Sequence, residues 1–322
     1  MSLFPAPRRI ATNGVTLDVH EAGPRGGTPV VLLHGFPELA YSWRRQLPVL
    51  AEAGRWVLAP DQRGYGGSDA PEPVEAYAIE ALTGDMIGLL DAVGAERAIW
   101  VGHDWGGLVA WELARRFPER TAGVVGLNTP FLPRPPEDPI TLIKRRFGPA
   151  HYIVWFQTPR LPELAFEASL ERSFRFFMRR TDGEPKDRAK LSALQAAVEF
   201  FKPKPEHQLL TDEELAVYVE AYRRTGFRGP INWYRNMRGN WARSAAVPDH
   251  VAAPALMITA ELDPFLPPEL SDGMERFVPD LERAMVMGSG HWTQQERPKE
   301  VNRILLDWLV RRFPLGPAEQ TA

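Results

Sequence analysis

The run Gly102-His103-Asp104-Trp105-Gly106-Gly107 carries the sharpest chemical signal in the chain. An apolar run at 98–101 precedes it and a helical pattern follows from 108, so it occupies a strand-to-helix turn. The pattern is Gly-x-Nuc-x-Gly, a nucleophile elbow. Its glycines leave room for a sharp bend that pushes the central side chain up at the mouth of a sheet. The helix N-terminus behind that side chain favours negative charge. Here the central residue is an aspartate. A lone Gly-x-Asp-x-Gly turn reads more simply as a loop whose Asp caps the next helix, but this one has partners downstream. Asp263 follows an apolar run at 255–259, and His291 follows one at 284–287, in Gly288-Ser289-Gly290-His291-Trp292. Both fall on loops leaving the carboxyl ends of strands, where open α/β sheets place their sites. Glu261 rivals Asp263, which is favoured because it lies further past the strand. Position rather than type singles out His291 among the 7 histidines.

An elbow serine attacks acyl carbon. A carboxylate is poorly suited to that, but it can displace a leaving group from a saturated carbon and become an alkyl ester. His291, oriented by Asp263, would then drive water onto the Cγ carbonyl of that ester. The backbone N–H groups of Phe36, in His34-Gly35-Phe36-Pro37, and of Trp105 are expected to hold the oxyanion. His34 and His103 read as loop-fixing hydrogen bonders, because no third residue stands at metal-ligand spacing to His103 and Asp104. The leaving group then sets the substrate class. A halide leaves as a stable anion and wants N–H donors. An epoxide oxygen leaves as a strong base and needs a proton donor, a task that a tyrosine protonated at neutral pH can perform. Tyr152, Tyr218, Tyr222 and Tyr234 lie in the middle of the chain.

The elements that must position these groups follow from pattern and composition. At 322 residues the chain predicts about two domains, or one large α/β domain with an insertion, with ample material for a core. Hydrophobic residues are 44%, charged residues 25% and the net charge −3, a balance without the basic excess of a nucleic-acid binder. Zero cysteines exclude disulfides, thiolate metal sites and a thiol nucleophile. Residues 1–10 lack the apolar stretch of a secretory signal, 319–322 form no lipidation or peroxisomal tag, and no run approaches the ~20 apolar residues of a membrane span. A cytoplasmic protein is expected. Continuous apolar runs at 29–33, 56–59, 98–101, 124–127, 255–259 and 284–287 read as buried strands of a parallel sheet. Helical spacing appears at 79–93, with Gly94 as a stop, at 108–117 and at 298–313. Pro130, Pro133, Pro135, Pro136 and Pro139 break the alternation. From about 140 to 245 the pattern predicts helices, such as 161–180 and 211–224, the latter capped by Thr211 or Asp212 with Glu214 in place for a capping box. The expected architecture is an α/β core domain of residues 1–130 and 246–322, interrupted by an all-helical cap domain at 131–245.

With these residues the chain resembles the epoxide hydrolases of the α/β-hydrolase fold, most closely the hydrolase domain of the soluble epoxide hydrolases. The resemblance runs from about residue 8 to 312. It rests on His34-Gly35-Phe36-Pro37-Glu38, the Asp104 elbow, Gly226-Phe227-Arg228-Gly229-Pro230-Ile231-Asn232-Trp233-Tyr234-Arg235-Asn236 and Gly290-His291-Trp292. Nucleophile, acid and histidine also stand in the chain order of α/β-hydrolases. The resemblance implies that fold, with a mostly parallel central sheet, flanking helices and an inserted cap (lid). It implies conversion of an epoxide and water to a vicinal diol. In that family two cap tyrosines bind and protonate the epoxide oxygen. They are carried onto Tyr234, in Asn232-Trp233-Tyr234-Arg235, and onto Tyr152, which stands shortly before Phe156-Gln157. Tyr218 and Tyr222 then read as packing residues. Phe36, Trp105 and Trp155 are expected to wall an apolar pocket. No metal or organic cofactor, nucleic acid or membrane partner is implied. The aromatic cap could host a homodimer contact. Mammalian soluble forms carry an extra phosphatase-like domain that has no counterpart here, so no phosphatase activity is expected. Among alternatives, a haloalkane dehalogenase shares the elbow but would not need two tyrosines. A fluoroacetate dehalogenase would place arginine where Trp105 stands, and an esterase would place serine at 104. A non-catalytic ligand-binding protein on this fold would show a degraded triad.

Overall fold

A computed structural model describes residues 4–180 and 194–316; the tail at 319–322 lies outside them. Eight strands form one sheet in the order β1-β2-β4-β3-β5-β6-β7-β8. They are β1 (Arg8–Ala11), β2 (Thr16–Ala22), β3 (Val30–Leu33), β4 (Val57–Pro60), β5 (Ala98–His103), β6 (Thr121–Leu127), β7 (Ala255–Ala260) and β8 (Leu281–Val286). From β4 to β8 all pairings are parallel, and β2 runs antiparallel to both of its neighbours. The inner strands β3, β4, β5 and β7 are buried at every residue, which is why they read as continuous apolar runs. The sequence reading found no strand at β1 or β2. Their residues alternate between buried and more exposed positions, as in Leu17 and Val19 on one face of β2, so they contain no continuous apolar run.

Side-chain alternation divides the core into two layers. Val30, Leu32, Ile99, Val101, Val125, Leu127 and Ile258 face α1 (Leu47–Glu52) and the closing helix Pro298–Arg312. Val31, Leu33, Leu58, Trp100, Val124 and Met257 face the other side, where α2 (Ile79–Val93) and α3 (Trp105–Arg116) pack. Helix α2 has the span predicted, and Gly94 closes it in the left-handed region at φ 74°. Helix α3 begins three residues earlier than predicted, directly after Asp104.

Between β6 and β7 the described residues contribute helices: α4 (Pro139–Phe147), α5 (Tyr152–Trp155), α6 (Leu161–Glu167), α7 (Leu170–Phe177), α8 (Leu194–Glu199), α9 (Asp212–Thr225), α10 (Arg228–Arg235) and α11 (Met237–Arg243). The single helix predicted over 161–180 is two. Ser169 leaves helical space at φ −156°, and its hydroxyl accepts from the Arg172 N–H to start α7. Helix α9 carries the predicted capping box between Thr211 and Glu214. The Glu214 carboxylate also accepts from Arg44 Nε of the core at 2.8 Å. Two further bonds seat this segment over the sheet: Trp292 Nε1 donates to Phe177 O at 2.7 Å, and Asn236 Nδ2 donates to Val74 O at 2.6 Å. The chain closes with α12 (Thr293–Glu296) and α13 (Pro298–Arg312), and no helix among the described residues is long and apolar enough to cross a membrane.

Candidate active site

Asp104 sits between β5 and α3 at φ 50°, ψ −122°, a conformation that costs a non-glycine residue roughly 1–3 kcal/mol. The bend is tight enough to demand its glycines. A Cβ on Gly102 would lie 2.1 Å from the Gly106 carbonyl oxygen, and one on Gly106 would lie 2.0 Å from the Leu33 carbonyl oxygen. The surrounding structure secures the strained residue, since Thr129 Oγ1 donates to the Asp104 carbonyl at 2.8 Å. The carboxylate is largely buried, with its side chain 18% exposed. The Phe36 N–H donates to Asp104 Oδ1 at 2.8 Å, and the Trp105 amide also hydrogen-bonds to the carboxylate. Both predicted oxyanion donors therefore reach the group on which that charge would form.

His291 and Asp263 converge on the same point. His291 Nδ1 lies 2.9 Å from Asp263 Oδ2, and His291 Nε2 lies 3.8 Å from Asp104 Oδ2. Asp263 is fully buried, and every oxygen it presents is bonded. Oδ1 accepts from the Phe265 and Leu266 N–H groups at 2.8 and 3.1 Å, and Oδ2 accepts from Asn128 Nδ2 at 2.7 Å. The rival Glu261 points elsewhere, accepting from the Gly288 N–H at 2.9 Å.

The electrostatics follow from these contacts. Burial pushes the Asp104 carboxyl up, and the imidazoles of His291 and His103 with the two amides pull back against it, leaving a net rise. Burial would depress His291, but the Asp263 carboxylate foremost, then Asp104 and Glu38, lift it to about 9. Burial would raise Asp263, but the His291 charge and the Asn128 and Leu266 donors hold it at about 2. At neutral pH His291 is thus an imidazolium, set between Asp263 and Asp104.

A buried pair ties the three site loops together. Glu38, one residue past the Phe36-Pro37 turn, accepts from His103 Nδ1 at 2.8 Å and from the Gly35 N–H at 3.1 Å. Gln294 and Gln295 donate to its other oxygen, each at 2.9 Å. His103 Nε2 lies 2.7 Å from the His291 carbonyl oxygen. Both ring nitrogens of His103 face oxygen atoms. His103 therefore fixes the base loop as well as the elbow. His34, expected to fix its loop, bonds the Gly35 carbonyl and accepts from the Gln62 N–H at 3.0 Å.

Above Asp104 lies a cavity of about 80 Å³. Tyr152 and Tyr234 line it together with Asp104, His291 and Phe36, and the two phenol rings stand 6.0 Å apart. Burial, reinforced by the Asp104 charge, pushes both phenols upward, so both carry protons at neutral pH. The rest of the lining includes Phe176, Phe177, Leu194, Phe265, Leu266 and Trp292. Two expected wall residues are misplaced by the sequence reading. Trp155 is not part of the lining and packs on Phe166 and Phe156. The Trp105 ring is not part of the lining either; it stands edge-on behind Tyr234, with ring centres 5.0 Å apart. Phe156, one residue beyond Trp155, is the ring that touches both Phe36 and Tyr234. Tyr218 and Tyr222 are buried packing residues outside the cavity. Asn128 escaped the sequence reading, although its place just past β6 at φ 62° is a strand-end signal of the kind that marked Asp263.

Comparison with known proteins shows the family of this chain. Residues 28–298 match the family model described as alpha/beta hydrolase fold. Epoxide hydrolase A of Mycobacterium tuberculosis is 43% identical over 95% of this chain and 98% of its own length. Bifunctional epoxide hydrolase 2 of Sus scrofa is 42% identical over 92% of this chain, which spans 53% of that relative. The crystal structure of epoxide hydrolase A from Mycobacterium thermoresistibile, 41% identical, superposes with a TM-score of 0.87 over 95% of this chain and 98% of that one. An aspartate elbow, a buried Asp–His pair and two phenols over one cavity thus occur on a chain that belongs to the epoxide hydrolases of the α/β-hydrolase fold family.

Proposed function

We propose that this chain converts an apolar epoxide and water to a vicinal diol through an alkyl ester on Asp104, with residues 131–245 acting as the cap domain that supplies the proton donors. The observation that carries the reading is the meeting of a carboxylate, an imidazole and two protonated phenols in one apolar cavity. An Asp104 oxygen attacks one epoxide carbon. The C–O bond of the ring breaks, and its electron pair goes to the ring oxygen, which takes a proton from Tyr152 or Tyr234. The resting imidazolium favours the ionised nucleophile against the effect of burial.

Esterification removes the negative charge of Asp104. His291 then loses one of the carboxylates that raise it, and its affinity for a proton falls as a base becomes necessary. The His291 proton passes to the phenolate left at Tyr152 or Tyr234, and the neutral imidazole then takes a proton from water, whose oxygen adds to Cγ. The oxyanion forms where the Phe36 and Trp105 amides already point. Its collapse breaks the bond between Cγ and the alkyl oxygen, which takes a proton from the His291 imidazolium; the diol leaves with an oxygen that belonged to Asp104, and the re-formed Asp104 carboxyl returns its proton to His291. A halide leaving group would not require the phenols, which sets this reading above dehalogenation.

A single turnover in heavy-oxygen water tests the scheme. The first diol from unlabelled enzyme is expected to carry the ordinary enzyme oxygen, with the label appearing in Asp104. Heavy oxygen in that first diol would show direct water attack and overturn the covalent route.

A further inference from the structure

The cavity above Asp104 is encircled by rings that touch one another all the way round. In one direction from the phenols, the Tyr234 ring centre lies 5.3 Å from that of Phe36, and Phe36 lies 5.7 Å from Phe177. The Phe177 carbonyl accepts from Trp292 Nε1, and the Trp292 ring lies 4.7 Å from His291. In the other direction, one side chain among the described residues spans the gap between proton donor and base. The Phe265 ring stands 6.4 Å from Tyr152 and 5.0 Å from His291. The two flanks differ beyond this girdle. Past Phe177 the lining continues to Phe176, Arg179 and Leu194, with the Phe176 ring 5.5 Å from Phe177. On the other flank the described lining ends at Phe265 and Leu266.

Phe265 is held where it blocks. It follows Pro264, whose ring fixes φ, and its N–H donates to Asp263 Oδ1 at 2.8 Å. The blocking ring is therefore anchored on the same carboxylate that orients His291.

An epoxide in this site has its oxygen toward Tyr152 and Tyr234 and its attacked carbon toward Asp104, so the plane of the three-membered ring contains that axis. Substituents stand on the two faces of this plane. In a terminal or a cis epoxide they all lie on one face. In a trans-disubstituted epoxide they lie on opposite faces, and no rotation about the axis brings both to one flank. The volume leaves no slack, since the cavity has about 80 Å³ where a cavity that holds benzene has roughly 150 Å³.

We propose that Phe265 is a specificity-determining residue that confines this site to epoxides with their substituents on one face of the ring, terminal or cis, and excludes trans-disubstituted ones. The inference rests on the epoxide reading of the site and deepens it by substrate class. The substituted face turns toward Phe177, Phe176 and Leu194. A second arm on the opposite face meets the Phe265 ring and enters only by displacing it from Tyr152 and His291. Phe265 is half-buried, so trimming it lets an arm on that flank reach toward the surface.

Three isomers of one composition test this: 1,2-epoxyhexane, cis-3,4-epoxyhexane and trans-3,4-epoxyhexane, with kcat/KM read from diol formation by the full chain. The unaltered chain is expected to favour the terminal and cis isomers over the trans isomer at least tenfold, a discrimination that a single misfitting methylene already gives. Phe265→Ala should cut that preference at least tenfold by raising kcat/KM for the trans isomer. Phe265→Val, which keeps part of the packing, should move it in the same direction. Leu194→Ala, which widens the other flank, should not narrow it. Equal kcat/KM for cis and trans isomers in the unaltered chain would overturn the proposal and leave the epoxide reading standing. So would a preference unchanged in both Phe265 variants, an equal loss on all three isomers, or the same narrowing in Leu194→Ala. No diol from any isomer would overturn the epoxide reading, and this inference with it.

Discussion

Replacing Asp104 by Asn should lower the proton affinity of His291, and the structure fixes the size of the effect. His291 Nε2 lies 3.8 Å from Asp104 Oδ2. At an effective dielectric of about 20, unit charges at that separation attract by roughly 4 kcal/mol, which corresponds to about 3 pKa units. The 18% exposure of the Asp104 side chain adds solvent screening, so a drop of about 1–3 units is expected. His291, held at about 9 in the intact site, would then titrate nearer neutrality, while Asp263 still orients it. The assay is a pH titration of ¹³Cε1-labelled histidine by NMR, with the His291 signal identified by its loss in His291→Gln. The same charge is removed chemically when Asp104 becomes an ester. In rapid-mixing experiments the breakdown of the intermediate should therefore accelerate with rising pH, with a midpoint below that of the free enzyme. An unchanged His291 midpoint in Asp104→Asn, or a breakdown midpoint at or above the free-enzyme value, would refute the idea that alkylation itself prepares the base.

Other consequences are equally concrete. Tyr234→Phe should slow alkylation by epoxides about 10²–10⁴-fold and affect alkyl halides far less; equal losses on both, measured by single-turnover kinetics, would remove its role as an acid. Asn128→Gly deletes a 2.7 Å bond to the Asp263 carboxylate and should cost about 1.5–3 kcal/mol in urea unfolding. Asn128→Ala should cost about a further 1–2 kcal/mol because φ is 62° there, and both variants should accumulate the ester intermediate. The pH dependence of stability has a defined window. His291 is raised from 6.5 to about 9, so its contribution is complete below 6.5 and is lost as pH rises through 9. Asp263 is lowered from 3.8 to about 2, so its contribution is complete above 3.8 and is lost as pH falls through 2. Unfolding titrations of His291→Gln should show both limbs flattened relative to the unaltered protein.

The candidate site residues were legible because their signals are local. An elbow needs its glycines within a few positions of the nucleophile, and the buried strands β3, β5 and β7 write themselves as apolar runs with their loops attached; β8, expected to be buried over 284–287, has only Val286 buried. Strands β1 and β2 were harder, because the alternating faces of β2 resemble loop sequence to a search for continuous apolarity. The division of 161–180 into two helices depends on Ser169 preferring to cap a new helix over continuing the old one, a choice that the apolar spacing does not encode.

What the sequence determined by itself is the chemistry available: a carboxylate at a sharp bend, an acid and a histidine past later strands, and tyrosines in a helical insertion. Tertiary structure decided which of these groups meet and in what state. The Glu38–His103 pair, the Asn128 bond to Asp263 and the His103 contact with the His291 carbonyl join residues 65, 135 and 188 positions apart, a separation that no local pattern spans. Trp155 and Phe156 are neighbours in sequence, yet only Phe156, directly after the short helix α5, packs on Phe36 and Tyr234, while Trp155 packs on Phe166. The rotation of a single helical turn is set by what packs against it, and packing exists only once the chain has folded.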